Sequence, residues 1–414
     1  MNNYFTEETG FYGKATPGSL IEQYGSPLYV YNENILRNRC REMKGLVQCE
    51  NFMVNYSPKA NSNIELLKIV RSEGLHVDAM SPGEIVVALA AGFKPDEIFY
   101  IGNNVSEEEM RFVIDRGLTV SVDSVSQLIQ YGRINPGSKV AVRFNAGVGA
   151  GHHEKVVTAG KKTKFGVFPD LIPEIKKVLK DYDLTLVGIN QHIGSLFMED
   201  TSYAKGSEAL MEIAKNFEDL EFIDLGGGFG VPYRKQEGEA RLDLKALGEK
   251  LVSIIDSWTT QYGKKIAFKI EPGRYISAEC GILLGTVHAI KQNYDIRYIG
   301  TDIGFNVLMR PILYNSHHEV EVYREDKIVK SVGQTATIVG NICESGDIIA
   351  SNRELPDISE KDIIGIMDAG AYCYSMASNY NCRLRPAEVL IKENGEDVLI
   401  RKRDNLEDLL HNFV

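Results

Sequence analysis

Lys59 is the first residue whose setting points to chemistry. It follows the apolar run NFMVNY (51–56) within NYSPKAN. A lysine at the end of a buried strand can lose its proton through burial or a cationic neighbour and then attack a carbonyl. A lone lysine is more often a surface side chain lying along apolar neighbours. DLGGGFG (224–230) sets glycines 226–228 after another apolar run. Their bare N–H groups could cradle a phosphate, although a tight turn is the plainer explanation. The tract is not a GxGxxG fingerprint with its downstream acid, and no GxxxxGK[ST] loop occurs in the chain. In EPGR (271–274), Glu271 could accept from a protonated ring nitrogen and Arg274 could fork a carboxylate or phosphate. An internal ion pair at a turn accounts for these two equally well.

Four further tracts carry reactive or binding side chains. QHIGS (191–195) places His192 just before Gly194 and Ser195, a phosphate contact if the loop is a binding loop. GNICESGD (340–347) surrounds Cys343 with Glu344, Ser345 and Asp347, so polar a loop that it should face water or a ligand. DAGAYCYSMASNYN (368–381) carries Tyr372, Tyr374 and Tyr380, which packing with satisfied hydroxyls would also explain. RPILYNSHH (310–318) spaces Arg310 and Tyr314 four apart, a carboxylate clamp or a surface turn. His152 and His153 in GAGHHEK (149–155) read as part of a solvated loop.

These residues need a frame, and the chain shows a rhythm of strand then helix. Short runs rich in β-branched residues fall at 51–56, 75–79, 97–102, 118–123, 139–144, 186–193, 221–226 and 266–271, as expected of parallel strands buried on both faces. Helical patterns lie between them at 62–74, 82–92, 106–117, 170–180, 202–216 and 244–261. The 106–117 pattern opens with Ser106 and Glu109, the spacing of a capping box. Eight alternations predict a (β/α)8 TIM-like barrel over 36–285, with a doubly wound sheet as the runner-up. Lys59, Asp78, Asn103, Asp123, Asn145, His192, Gly226–Gly228 and Glu271 all fall at or just after strand C-ends. A barrel gathers its site from many such ends, which favours the barrel. After about residue 285 the rhythm changes to a hairpin pattern at 319–339 and strands near 362–368 and 387–402. Residues 286–414 therefore predict an all-β domain, and PLYVYN (27–32) in the segment 1–35 could add a strand to it.

Composition narrows the classes. The 414 residues are 43% hydrophobic and 25% charged, enough for a large core. A net charge of −11 makes general nucleic-acid binding a poor expectation. No apolar run is long enough for a membrane span, and MNNYFTEETG lacks the basic-then-apolar pattern of a signal peptide. Six cysteines without a CxxC or paired Cys/His spacing suggest reduced thiols in a cytoplasm and no metal site.

YSPKAN, HVDAMSPGE, GAGHHEKVVTAGKKTKFG, QHIGS, LGGGFG, EPGR, MRPILY, CESGD and DAGAYCYSMASNYN follow one another along nearly the whole chain. In that order they resemble the fold-type III pyridoxal-phosphate decarboxylases. The resemblance implies a cofactor-binding barrel followed by a β-sandwich or Greek-key barrel domain. It implies that Lys59 holds pyridoxal 5′-phosphate covalently, His192 stacks on its ring and Glu271 pairs with the ring nitrogen. Ser195, Gly227, Gly228, Gly273, Arg274 and Tyr372 would hold the phosphate. Cys343, supplied with its neighbours by the other subunit of a homodimer, would be the acid that reprotonates the carbon losing CO₂. Arg274, Arg310, Tyr314, Glu344 and Tyr372 would grip the far end of the substrate. A far end met by both a base and an acid suits meso-2,6-diaminopimelate, giving L-lysine. Ornithine, arginine, carboxynorspermidine and a carrier-bound glutamyl unit are the alternatives within the family. A catalytically idle cofactor binder would have no need of Cys343 alongside Lys59, Glu271 and Tyr372.

Overall fold

The computed structural model describes residues 4–147, 150–151, 163–331 and 333–414. His152 and His153 lie outside the described residues. The chain forms two compact units, one of residues 37–231 and 241–276, the other of residues 1–36, 232–240 and 277–414.

The first unit is a closed barrel of eight strands. They are Phe52–Tyr56, His76–Ala79, Ile98–Ile101, Thr119–Val122, Lys139–Arg143, Thr185–Asn190, Phe222–Asp224 and Ala267–Ile270. Every pairing is parallel, and the last strand closes on the first, Phe268 opposite Phe52. Phe99, Ile101, Ala141, Val187 and Phe222 fill the interior as one cluster. Phe99 and Phe222 meet edge to face, with ring centroids 5.2 Å apart. The neighbouring strand makes room for the Phe222 ring by carrying Gly188, where a Cβ would lie 2.1 Å from the ring.

The helices between strands are set by local signals. Pro82–Ala90 starts on Ser81, whose hydroxyl accepts from Glu84 N–H at 3.2 Å, while Glu84 accepts from Met80 N–H at 2.7 Å. Ser106 caps Glu107–Ile114 by accepting from Glu109 N–H at 3.1 Å. The expected reciprocal half of that box is not made, because the Glu109 carboxylate accepts from the buried Tyr100 hydroxyl at 2.5 Å instead. Helices beyond the sequence patterns include Glu33–Lys44 and Val125–Ile134. The second begins at Ser124, which accepts from Gln127 N–H at 3.2 Å, a start signal present in the sequence.

The second unit is built on a ten-stranded mixed sheet. Leu28–Asn32 is wholly buried near its middle, antiparallel to Gly281–Asn293 and parallel to Ala387–Ile391. Leu28, Val30, Ile282, Leu284 and Val389 share a core with Phe11 and Leu20 from the N-terminal segment. The expected hairpin at 319–339 forms only between Val320–Arg324 and Lys327–Ile328. Thr335–Val339 pairs instead with Ile296–Thr301 and Ile348–Glu354. The alternation of apolar residues fixes which face is buried, but not which partner a strand takes.

Candidate active site

The mouth of the barrel, at the C-terminal ends of its strands, holds a buried cluster of carboxyl groups. Asp78 ends the second strand region, Asp224 the seventh, and Glu271 follows the eighth, and all three are buried. Ser57 Oγ donates to Asp78 Oδ2 at 2.8 Å and lies 3.2 Å from the Glu271 carbonyl. Ser57 N–H donates to the Pro272 carbonyl at 3.3 Å, which ties the loop bearing Lys59 to the EPGR turn. Lys59 Nζ lies 3.7 Å from Met80 Sδ.

Burial dominates the electrostatics of this cluster. It pushes Asp78 up to about 7, against the Lys59 ammonium and with help from Glu84 and Asp224. Burial raises Asp224 as well. Glu271 is held well above the usual carboxylate range by burial and then by Asp224 and Asp78, with Lys59 and Arg143 opposing. Burial and mutual repulsion disfavour ionising all three carboxyls together. Arg143, at the end of the fifth strand, is a buried guanidinium whose pKa burial lowers, with Glu271, Asp123 and Asp78 opposing.

Beside the cluster lies the glycine tract. A Cβ on Gly227 would sit 1.9 Å from the Glu271 carbonyl oxygen. Gly228 adopts φ +110 and passes so close to Gly194 that a Cβ would lie 2.4 Å from its carbonyl oxygen. Both positions therefore exclude a side chain. Gly227 N–H donates to His192 Nδ1 at 3.3 Å, which leaves Nε2 to carry the ring proton. Burial, then Lys59 and Arg143, hold His192 well below its ordinary range, so the ring is neutral. Arg274 follows Gly273 and opens the short helix Arg274–Ser277. Its Nη2 donates to Ser195 Oγ at 2.9 Å. Phe197 N–H donates to the Gly228 carbonyl at 3.1 Å, so the QHIGS and LGGGFG loops lie against each other. The structure thus brings Lys59, His192, Ser195, Gly227, Gly228, Glu271, Gly273 and Arg274 to one end of one unit.

Arg310, Tyr314, Cys343, Glu344 and Tyr372, also singled out in the sequence, belong to the sheet unit. Cys343 is exposed, and its N–H donates to Asn381 Oδ1 at 2.8 Å. Glu344 Oε1 accepts from the Tyr380 hydroxyl at 2.5 Å. Asp347 is an anchor for this loop: it accepts from Phe305 N–H at 2.7 Å and Ile342 N–H at 2.8 Å. Cys343 lines a cavity of about 580 Å³ together with Asn306, Asn341, Arg383 and Arg403. Tyr372 is half-buried with φ +57. Arg310 is buried at the start of the helix Arg310–Tyr314, and Tyr314 at its end is half-buried.

Sequence reasoning passed over Arg143 and His318. The signal for Arg143 was a charge at the end of an otherwise apolar strand, VAVRF. That of His318 was only its place in SHH; in the structure its Nε2 lies 2.8 Å from Arg310 Nη1.

A barrel with a lysine and a buried carboxylate at its mouth, beside a glycine cradle, is the framework of pyridoxal-dependent decarboxylases. The family model for the pyridoxal binding domain of those enzymes matches residues 33–278. A diaminopimelate decarboxylase from Methanothermobacter thermautotrophicus is 41% identical over 96% of this chain and 94% of its own length. A crystal structure of diaminopimelate decarboxylase superposes with TM-score 0.89 at 32% identity, covering 96% of this chain and 97% of the other. One from Helicobacter pylori, complexed with L-lysine, gives 0.87 at 29% identity, with 95% and 98% covered. The chain belongs to the diaminopimelate decarboxylase family of pyridoxal-dependent decarboxylases.

The residues present fit that cofactor. Glu271 Oε1 is buried with no hydrogen-bond partner among the described residues. A buried carboxylate oxygen left unmet is costly and calls for a donor, which a protonated ring nitrogen provides. The glycine cradle and the Arg274–Ser195 pair are suited to a phosphate.

Proposed function

We propose that this protein removes CO₂ from meso-2,6-diaminopimelate to give L-lysine, as a homodimer in the cytoplasm. The observation that carries the reading is end-to-end identity of 41% with an enzyme of that name. Among the described residues no helix is long and apolar enough to cross a membrane.

Pyridoxal phosphate, when bound, supplies the electron sink for the pair left on carbon as CO₂ departs. Lys59 would hold it covalently. Glu271 keeps a proton on the ring nitrogen, where opposite charges offset the burial that raises its own pKa. His192 would face the ring as a neutral imidazole, which avoids setting one cation against another. Ser195, Gly227, Gly228, Gly273, Arg274 and Tyr372 take the phosphate. Cys343 of a second copy delivers the proton from Sγ to the carbon that lost CO₂.

The far end of diaminopimelate carries an ammonium and a carboxylate. Glu344 of the second copy meets the first; Arg310, Tyr314, Arg274 and Tyr372 meet the second. An arginine aimed there repels the cationic ends of ornithine and arginine, so the same contact that binds one substrate rejects others. Support for this comes from Arg310 itself, which is buried and whose guanidinium meets His318 and Ser316 rather than a carboxylate among the described residues. The test is CO₂ release by the purified holoenzyme from diaminopimelate, ornithine, arginine and carboxynorspermidine. Diaminopimelate should be fastest; faster release from any other overturns the substrate assignment and leaves the family membership standing.

A further inference from the structure

Arg310 is 1% exposed, and its guanidinium meets His318, Ser316 and the Tyr233 ring among the described residues. Nη1 lies 2.8 Å from His318 Nε2, and Nη2 donates to Ser316 Oγ at 3.4 Å. The guanidinium carbon sits over the Tyr233 ring, 4.5 Å from its centroid. The acid next to His318, Glu319, is taken by Arg353 at 3.1 Å and His317 at 3.4 Å.

The tautomer of His318 follows from its partners. Arginine has donors only, so Nε2 must accept from Nη1. The ring proton is then on Nδ1, which donates to the Met367 carbonyl at 2.7 Å. Tyr233 meets the imidazole edge-on, with centroids 5.5 Å apart. The imidazole is therefore neutral and fixed in place, bonded at both nitrogens.

A carboxylate at position 318 could hold the guanidinium equally well, but it would cancel the charge. A neutral acceptor fixes the direction of the guanidinium and leaves its charge whole for an incoming anion. We propose that His318 is a positioning residue for substrate selection: with Tyr233 it holds Arg310 as a full, aimed positive charge for the far carboxylate of the substrate. This rests on the assignment of Arg310 to that carboxylate.

The product allows an equilibrium test. L-Lysine keeps the far amino-acid end, whereas cadaverine has the same chain and both amines but no carboxylate. The ratio of their inhibition constants against the holoenzyme reads the grip on that carboxylate separately from the chemical step. Arg310→Met should collapse the preference for lysine. His318→Leu should reduce it by on the order of tenfold, as loss of a charge-assisted hydrogen bond implies. His318→Gln, which keeps a neutral acceptor at the same reach, should retain most of the preference. His318→Glu, which anchors Arg310 but neutralises it, should lose it. Thermal melting of each variant separates damage to folding, which has no reason to favour one inhibitor over the other. If His318→Leu does not fold, the Gln and Glu variants decide alone: a Glu variant with the parental ratio overturns the proposal. An unchanged ratio in Arg310→Met overturns the assignment of Arg310 itself. A collapsed ratio in Arg310→Met with a parental ratio in His318→Leu overturns only the role of His318.

Discussion

At the scale of single residues, the barrel mouth combines groups that burial alone would make unfavourable. Asp78 is an example with a consequence for pH. Its folded pKa, about 7, lies above the ordinary carboxylate value of about 3.9 in an unfolded chain. The folded state therefore binds the extra proton, and this group's contribution to stability is present in full below about pH 4 and lost as pH rises through about 7. Asp78→Asn removes that loss. Melting curves of the cofactor-free protein should show the variant gaining on the parent between about pH 4 and 7; a difference independent of pH would contradict it. Cys343 is the opposite case, exposed and easily altered without structural cost. Cys343→Ala should leave cofactor absorbance intact and lower turnover by roughly 10²- to 10⁴-fold, the usual worth of a general acid. Turnover close to the parent's, with clean product, would remove it from the mechanism.

Among the elements, the barrel depends on close fits between neighbouring strands. Gly188 on the sixth strand faces Phe222 on the seventh, and its missing side chain is the space the ring occupies. Gly188→Ala should destabilise the fold by about 1–3 kcal/mol, the range for overpacking a core. Urea denaturation would read this as a lower midpoint with an unchanged slope, and an unchanged midpoint would mean that the ring has somewhere else to go. One helix start was legible because it depends on local spacing, Ser106 with Glu109. The second half of the Ser106 box was not, because Tyr100 competes for the same carboxylate from another strand.

For the whole molecule, the proposed dimer predicts complementation. Lys59→Ala and Cys343→Ala proteins should each be inactive or nearly so. Mixed under conditions of subunit exchange, they should regain activity through hybrid dimers with one intact site. No recovery despite demonstrated exchange would mean that each site is built from a single chain.

Local order determined much of this protein before any packing was considered. Eight short β-branched runs alternating with capped helices give the barrel, and chemistry-bearing residues at the strand C-ends follow from where strands stop. Lys59, His192, Glu271 and the glycine tract were visible for that reason. Tertiary structure alone decided what depends on residues far apart in sequence. It turned Thr335–Val339 from a hairpin arm into a strand between two others. It placed Pro232–Ala240, which interrupts the barrel sequence, with the sheet unit, and so set Tyr233 against Arg310 and His318. It also raised Asp78, Asp224 and Glu271 by burying them together. Desolvation and through-space charge act between neighbours in space, and the spacing of residues along a chain does not encode them.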